Sequence, residues 1–290
     1  MIQPLIGAIP LKAARPRPEA AAAALDSFSP SSTPWAPLKP RFASFSQLPP
    51  FNQRRNATWS SVMTDIAQHE APDDNNPYDD LITKGHETTH GINSWLRNNV
   101  DPPGPVSWRP KAGFYLLENR SAVLYEPDFK KHQVIPYVPT SLRESRYDHY
   151  VAGQPAWDDH PLYIWDEWTA YINGTTVGLD QLDENKWTQG RRIASLGPLE
   201  FTVYSLAVAQ ATAELDPSSW ANDPQLKSLL AFNCERSMQV AQAAQATPEL
   251  SHPRFDGYLE KFRTSPDASG LRRFARAELG EEWCRQVFGF

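Results

Sequence analysis

The segment His86-Glu87-Thr88-Thr89-His90 holds residue types at a spacing that can do chemistry. Residues four apart on an α-helix lie one above the other. Two imidazoles so placed can converge on one metal ion, each about 2.0–2.1 Å from a zinc. Glu87 lies roughly 100° around the helix from His86, beside the ion rather than on it. From there it can take a proton from metal-activated water and pass it to a leaving amine. Chance produces this pattern in a chain of such length on the order of once in a hundred. The competing reading is an ordinary helix with two solvated or hydrogen-bonded histidines. Context weakens it, because Ile82, Gly85, Thr89, Ile92 and Leu96 form an apolar or small stripe, and His86, His90, Asn93 and Arg97 run directly beside it.

A catalytic zinc takes three protein ligands and keeps a fourth position open. The third ligand must come from elsewhere in the chain. The other histidines are His69, His132, His149, His160 and His252. The strongest acidic candidate lies in Trp165-Asp166-Glu167-Trp168-Thr169-Ala170-Tyr171, because a carboxylate set among aromatic residues needs a partner when buried. Asp166 and Glu167 are about 100° apart on a helix, so one of them faces the metal. Glu167 shares a face with Tyr163, Ala170 and Gly174, and the last two are small enough to admit a second helix. Glu167 is therefore chosen over Asp166; the plainer alternative is a helix-start carboxylate favoured by the macrodipole. Asn93 and Arg97, one and two turns beyond His90, are candidates to orient a ligand or else form a solvated face.

His86 to His90, with Glu167 on a later helix, resembles the gluzincin branch of the zincin metallopeptidases. Leu96 stands where the metzincin branch has its third histidine. The resemblance runs from Leu81 to Tyr171 and implies a zinc peptidase with His86, His90 and Glu167 as ligands and Glu87 as general base. It also implies a Tyr, His or Arg near the developing oxyanion, where a donor is worth a few kcal/mol of barrier. Tyr147, His149, Tyr150 and Tyr163 are candidates by position, and Tyr150 is preferred. Zincins usually carry their sheet before this helix, whereas here the clearest strand patterns come after it.

These residues need elements to hold them. The pattern predicts helices over 57–68 and 80–98, the second capped by Asp79 or Asp80 and stopped before Pro102-Pro103. Residues 113–118 and 121–126 read as a hairpin, and 134–138 as a third strand. A short helix is expected over 161–173, with Pro161 at its first position and Gly174 just past its end. Further helices are expected over 199–214, 224–245, 254–263 and 270–287. The class is α+β, mostly helical, with a small antiparallel sheet in a zincin-like catalytic domain over residues 57–290.

Residues 1–56 read as a Pro-rich arm, tail or pro-segment: ten of the 27 prolines fall in the first 50 residues. The apolar stretch Pro4–Leu11 lacks a basic lead-in and makes a poor secretory signal. A net charge of -6 argues against nucleic acid as partner. No apolar run reaches the roughly 20 residues that span a bilayer. Cys234 and Cys284 read as two buried thiols rather than a bridge. Sequons at Asn56, Asn119 and Asn173 do not fix a compartment. The expected function is a zinc metallopeptidase acting on a peptide or protein. The alternatives are a zinc amidohydrolase acting on a non-protein amide, from which a groove for an extended chain or an exposed strand edge in 113–138 would separate a peptidase, and a non-catalytic aromatic-rich binding module held by a structural metal or none, which a closed site with four protein ligands would support.

Overall fold

The computed structural model describes residues 45–71, 77–104 and 107–290. Most of the Pro-rich arm (residues 1–44) and the middle of the expected loop over 71–78 lie outside the described residues. The chain is mostly helical with one three-stranded antiparallel sheet, as the sequence pattern indicates.

Helix α1 (Ser61–Gln68) has no cap from Ser60. Its first N–H groups are met instead by acids at the far end of a later helix. Asp180 Oδ2 accepts from Val62 N–H at 2.7 Å, and Glu184 Oε1 from Ser61 N–H at 2.8 Å. Free N–H groups and the helix dipole both favour carboxylates there. Helix α2 (Leu81–Asn99) carries the two histidines and starts at Asp80, whose side chain accepts from Ile82 N–H at 3.1 Å. Its buried residues are Gly85, Thr88, Thr89, Ile92, Asn93 and Leu96.

The hairpin pairs β2 (Lys111–Tyr115) with β3 (Arg120–Tyr125) in the register Tyr115↔Ser121 to Lys111↔Tyr125. Leu117, Glu118 and Asn119 make the turn in the left-handed region (φ 64, 54 and 61). The third strand is not residues 134–138. It is β1 (Ser46–Gln47), antiparallel to β3, so the order is β1-β3-β2. Lys131–Tyr137 instead forms a 3₁₀ turn with Pro136 inside it. Proline cannot donate to a ladder, and Val134 and Val138, four apart, both point into the core.

Helix α3 (Tyr163–Asp183) is longer than expected, and Gly174 lies inside it. A Cβ at Gly174 would stand 2.7 Å from the Ile82 carbonyl oxygen and 3.2 Å from His86 Cβ. This glycine does not end a helix; it lets α3 press its backbone onto the histidine-bearing turn of α2. Behind α3 pack α4 (Leu196–Leu215) and α6 (Pro224–Ala246), with the short α5 (Pro217–Asn222) set against those two. Trp165 and Trp168 are fully buried on that side and donate to Ser205 O (3.2 Å) and Ser237 Oγ (3.0 Å). Aromatic anchors of this size each cost about 3–5 kcal/mol to truncate, so they fix how α3 is rotated. The chain closes with α7 (Phe255–Thr264), α8 (Ser269–Leu279) and α9 (Glu281–Val287). The last two were expected as one helix; Gly280, at φ +97, breaks it. Cys234 and Cys284 are free and buried. No helix among the described residues is long and apolar enough to cross a membrane.

Candidate metal centre

The tight contact of α2 with α3 brings His86, His90 and Glu167 together, with one ligand atom of each within 4.8 Å of the others. His86 Nε2 and His90 Nε2 face one another at 3.0 Å. Glu167 Oε2 lies 3.5 Å from the first and 3.4 Å from the second. That oxygen is buried and has no hydrogen-bond partner, an expensive condition for a carboxylate unless something cationic meets it. Two ligands of a tetrahedral zinc, each about 2.0–2.1 Å from it, stand roughly 3.3 Å apart. The donor spacing matches, and two imidazoles with one carboxylate are a set that suits zinc. The group can therefore hold a metal ion.

The adjacent carboxylates of α3 divide the work. Glu167 points at the cluster. Asp166 Oδ1 accepts from His90 Nδ1–H at 2.9 Å and from Asn93 Nδ2 at 2.6 Å. This bond turns Nδ1 toward Asp166 and aims Nε2 at the cluster. Asn93 in turn takes the Tyr115 N–H at 2.7 Å, which ties β2 to the same network. Asn93 thus bonds Asp166 rather than a member of the cluster. Replacing Asp166 by Ala is expected to weaken metal affinity by about 10–100-fold, read by competition against a chelator of known affinity. Unchanged affinity would mean that the imidazole is held by packing alone.

The electrostatics also favour a cation. Burial acts to raise the Glu167 carboxyl, but His86 and His90 beside it outweigh burial and hold it well below the usual carboxylate range. Burial acts to lower His90, yet Asp166 and then Glu167 reverse the sign and hold it well above the ordinary imidazole value. The carboxylates that favour a proton there favour a cation between the donors as well.

Two clefts meet at Glu87. One, of about 500 Å³, runs past His90, Glu167, Tyr163, Trp157 and Arg97. The other, of about 320 Å³, runs past His86, Tyr150, Tyr171, Arg146 and Arg192. Glu87 lines both, and among the described residues its carboxylate has no hydrogen bond or ion pair. Tyr150 stands in the second cleft, its hydroxyl 3.3 Å from that of Tyr171. It rides on a π-turn, Tyr147–Ala152, a rare conformation that is frequent at functional sites. Lys131, fully buried, pins this turn by donating to the carbonyls of Tyr150 (3.0 Å), Val151 (2.9 Å) and Gly153 (2.7 Å). Tyr163 lines the first cleft, where burial and then the charge of Glu167 push its hydroxyl up. Tyr147 is buried and stacks under Arg143 rather than entering a cleft. His149 is exposed and bonds Gln154 at 3.0 Å.

No local pattern in the sequence singles out Arg146, Trp157 or Lys131. Tyr171 could have been found, since it lies four residues after Glu167 on one helix; its ring meets His86 edge-on at 4.6 Å. Comparison with protein-family models, curated proteins and solved structures gave no match.

Proposed function

We propose that the protein is a zinc-dependent hydrolase of amide bonds, with peptides as its first substrate class. The observation that carries this reading is an unpaired carboxylate, Glu87, set where two clefts meet beside a three-donor group. Zinc bound there would lower the pKa of water toward about 7 and polarise a substrate carbonyl. Glu87 is placed to accept the proton from the attacking water and return it to the leaving nitrogen. Asp166 keeps His90 in the tautomer that offers Nε2. Tyr150 is placed to donate a hydrogen bond to the substrate oxygen as charge develops on it.

Clefts on both sides of Glu87 support an extended chain, since each is of the size of an ordinary ligand site. Against a closed, structural metal stands the count of ligands: among the described residues three side chains converge, and the remaining side opens on the clefts. One observation favours the second reading, a non-protein amide. The outer edge of β2 is closed by α2, because Tyr115 N–H is taken by Asn93 and residues 112–115 are buried. A peptide therefore cannot add a strand there and would have to rely on the groove. The test is incubation of zinc-loaded protein with a mixed peptide library and, separately, with N-acyl amino acids, read by mass spectrometry. Peptide cleavage that a chelator stops supports the first reading. Cleavage of the N-acyl amino acids alone moves it to the second, and cleavage of neither overturns both.

A further inference from the structure

Three arginines line the groove, and they are not alike. Arg146 pairs with Glu200, and Arg192 pairs with Asp80 at 3.1 Å. Arg97 has no carboxylate partner among the described residues. Its guanidinium lies 5.1 Å over the Trp157 ring, and its Nη2 donates to Ser94 Oγ at 3.1 Å. Trp157 is itself held, stacked on Tyr163 at 5.0 Å with the rings 5° apart. The buried acid nearby, Glu126, is occupied by His160 at 3.4 Å and by Leu162 N–H at 2.8 Å. A planar fork of donors, backed by an indole and facing a cleft, is a built receptor for a carboxylate.

We propose that this end of the groove binds a substrate carboxylate, with Arg97 as the residue that reads it. The register rests on the hydrolase reading; the binding does not. Arg97 lies two turns of α2 beyond His90, about 10 Å of helix rise, which an extended chain covers in about three residues. Glu87, Asp166 and Glu167 repel an acid placed closer to the cluster, so the preference is confined to that distance. The carboxylate is either an acidic side chain or a free chain terminus.

The probes are N-acetylated, C-amidated hexa-alanine peptides with a single Glu, Gln or Lys at each position in turn, and hexa-alanine with a free C-terminus. Binding to metal-free protein is read by tryptophan fluorescence, and cleavage by zinc-loaded protein by mass spectrometry. One Glu position is expected to bind about tenfold tighter than its Gln counterpart, the scale of one charge-assisted hydrogen bond. The difference should vanish in Arg97→Gln and survive in part in Arg97→Lys. In Arg97→Glu it should turn into a preference for Lys at the same position. A preference shown only by the free terminus would assign the carboxylate to the chain end. Equal binding of Glu, Gln and free-terminus peptides, or a preference that survives Arg97→Gln, would overturn the proposal. An Arg97-dependent preference without any cleavage would keep the subsite and refute the hydrolase reading.

Discussion

Glu87→Gln is expected to keep its metal and lose hydrolysis by about 10²- to 10⁴-fold, the range for removing a positioned general base. Gln has the shape of Glu but cannot take up the proton. The carboxylate has no ion pair or hydrogen bond among the described residues, so no other contact is lost with it, and stability should change by less than about 0.5 kcal/mol. His86, His90 and Glu167 are left as they were. The check is a single-turnover rate on a cleaved peptide, with metal content measured on the same sample. Wild-type rates in this variant would put the proton acceptor elsewhere in the groove.

Arg146→Met is expected to destabilise the protein by about 3–5 kcal/mol, the cost of leaving one charge of a buried pair without its partner. Glu200 is fully buried, its Oε2 bound by Arg146 and its Oε1 without a partner. The Arg146 side chain is 23% exposed, so solvent screens the pair little. Burial already lifts the Glu200 carboxyl above its usual range, against the pull of Arg146. Removing Arg146 lifts it further. A carboxyl whose folded pKa is raised makes the folded state bind more protons than the unfolded one, so stability falls as pH rises through that window. The deficit of Arg146→Met should therefore be smallest in mild acid and grow toward neutral pH. Urea unfolding at several pH values measures it, and Arg146→Met/Glu200→Leu should recover most of the loss. A cost below about 1 kcal/mol at neutral pH would mean that Glu200 is not held as an anion.

The site was legible where chemistry repeats with helical period. His86, Glu87 and His90 sit on one short stretch of α2, and the small residues Ala170 and Gly174 marked the face of α3 that meets it. The division between Asp166 and Glu167 was harder to read, because neighbours on a helix differ only by rotation. That rotation is set by Trp165 and Trp168 against α4 and α6, contacts that no local pattern contains. Of the two readings Gly174 allows, helix stop and close contact, only the second holds, because a glycine needed for close helix contact looks like one needed for a cap. β1 left no mark, being two exposed residues between prolines that gain a partner only from β3. The Arg97–Trp157 stack joins α2 to a 3₁₀ turn, Pro155–Trp157, far along the chain, and no spacing rule links them.

Metal content by plasma mass spectrometry on wild type, His86→Ala and Glu167→Ala tests the central claim most directly. One zinc per chain in wild type, lost or sharply weakened in both variants, is the predicted result. Wild-type protein that holds no stoichiometric zinc after zinc is supplied would contradict it, and the facing imidazoles would then be only a helix contact.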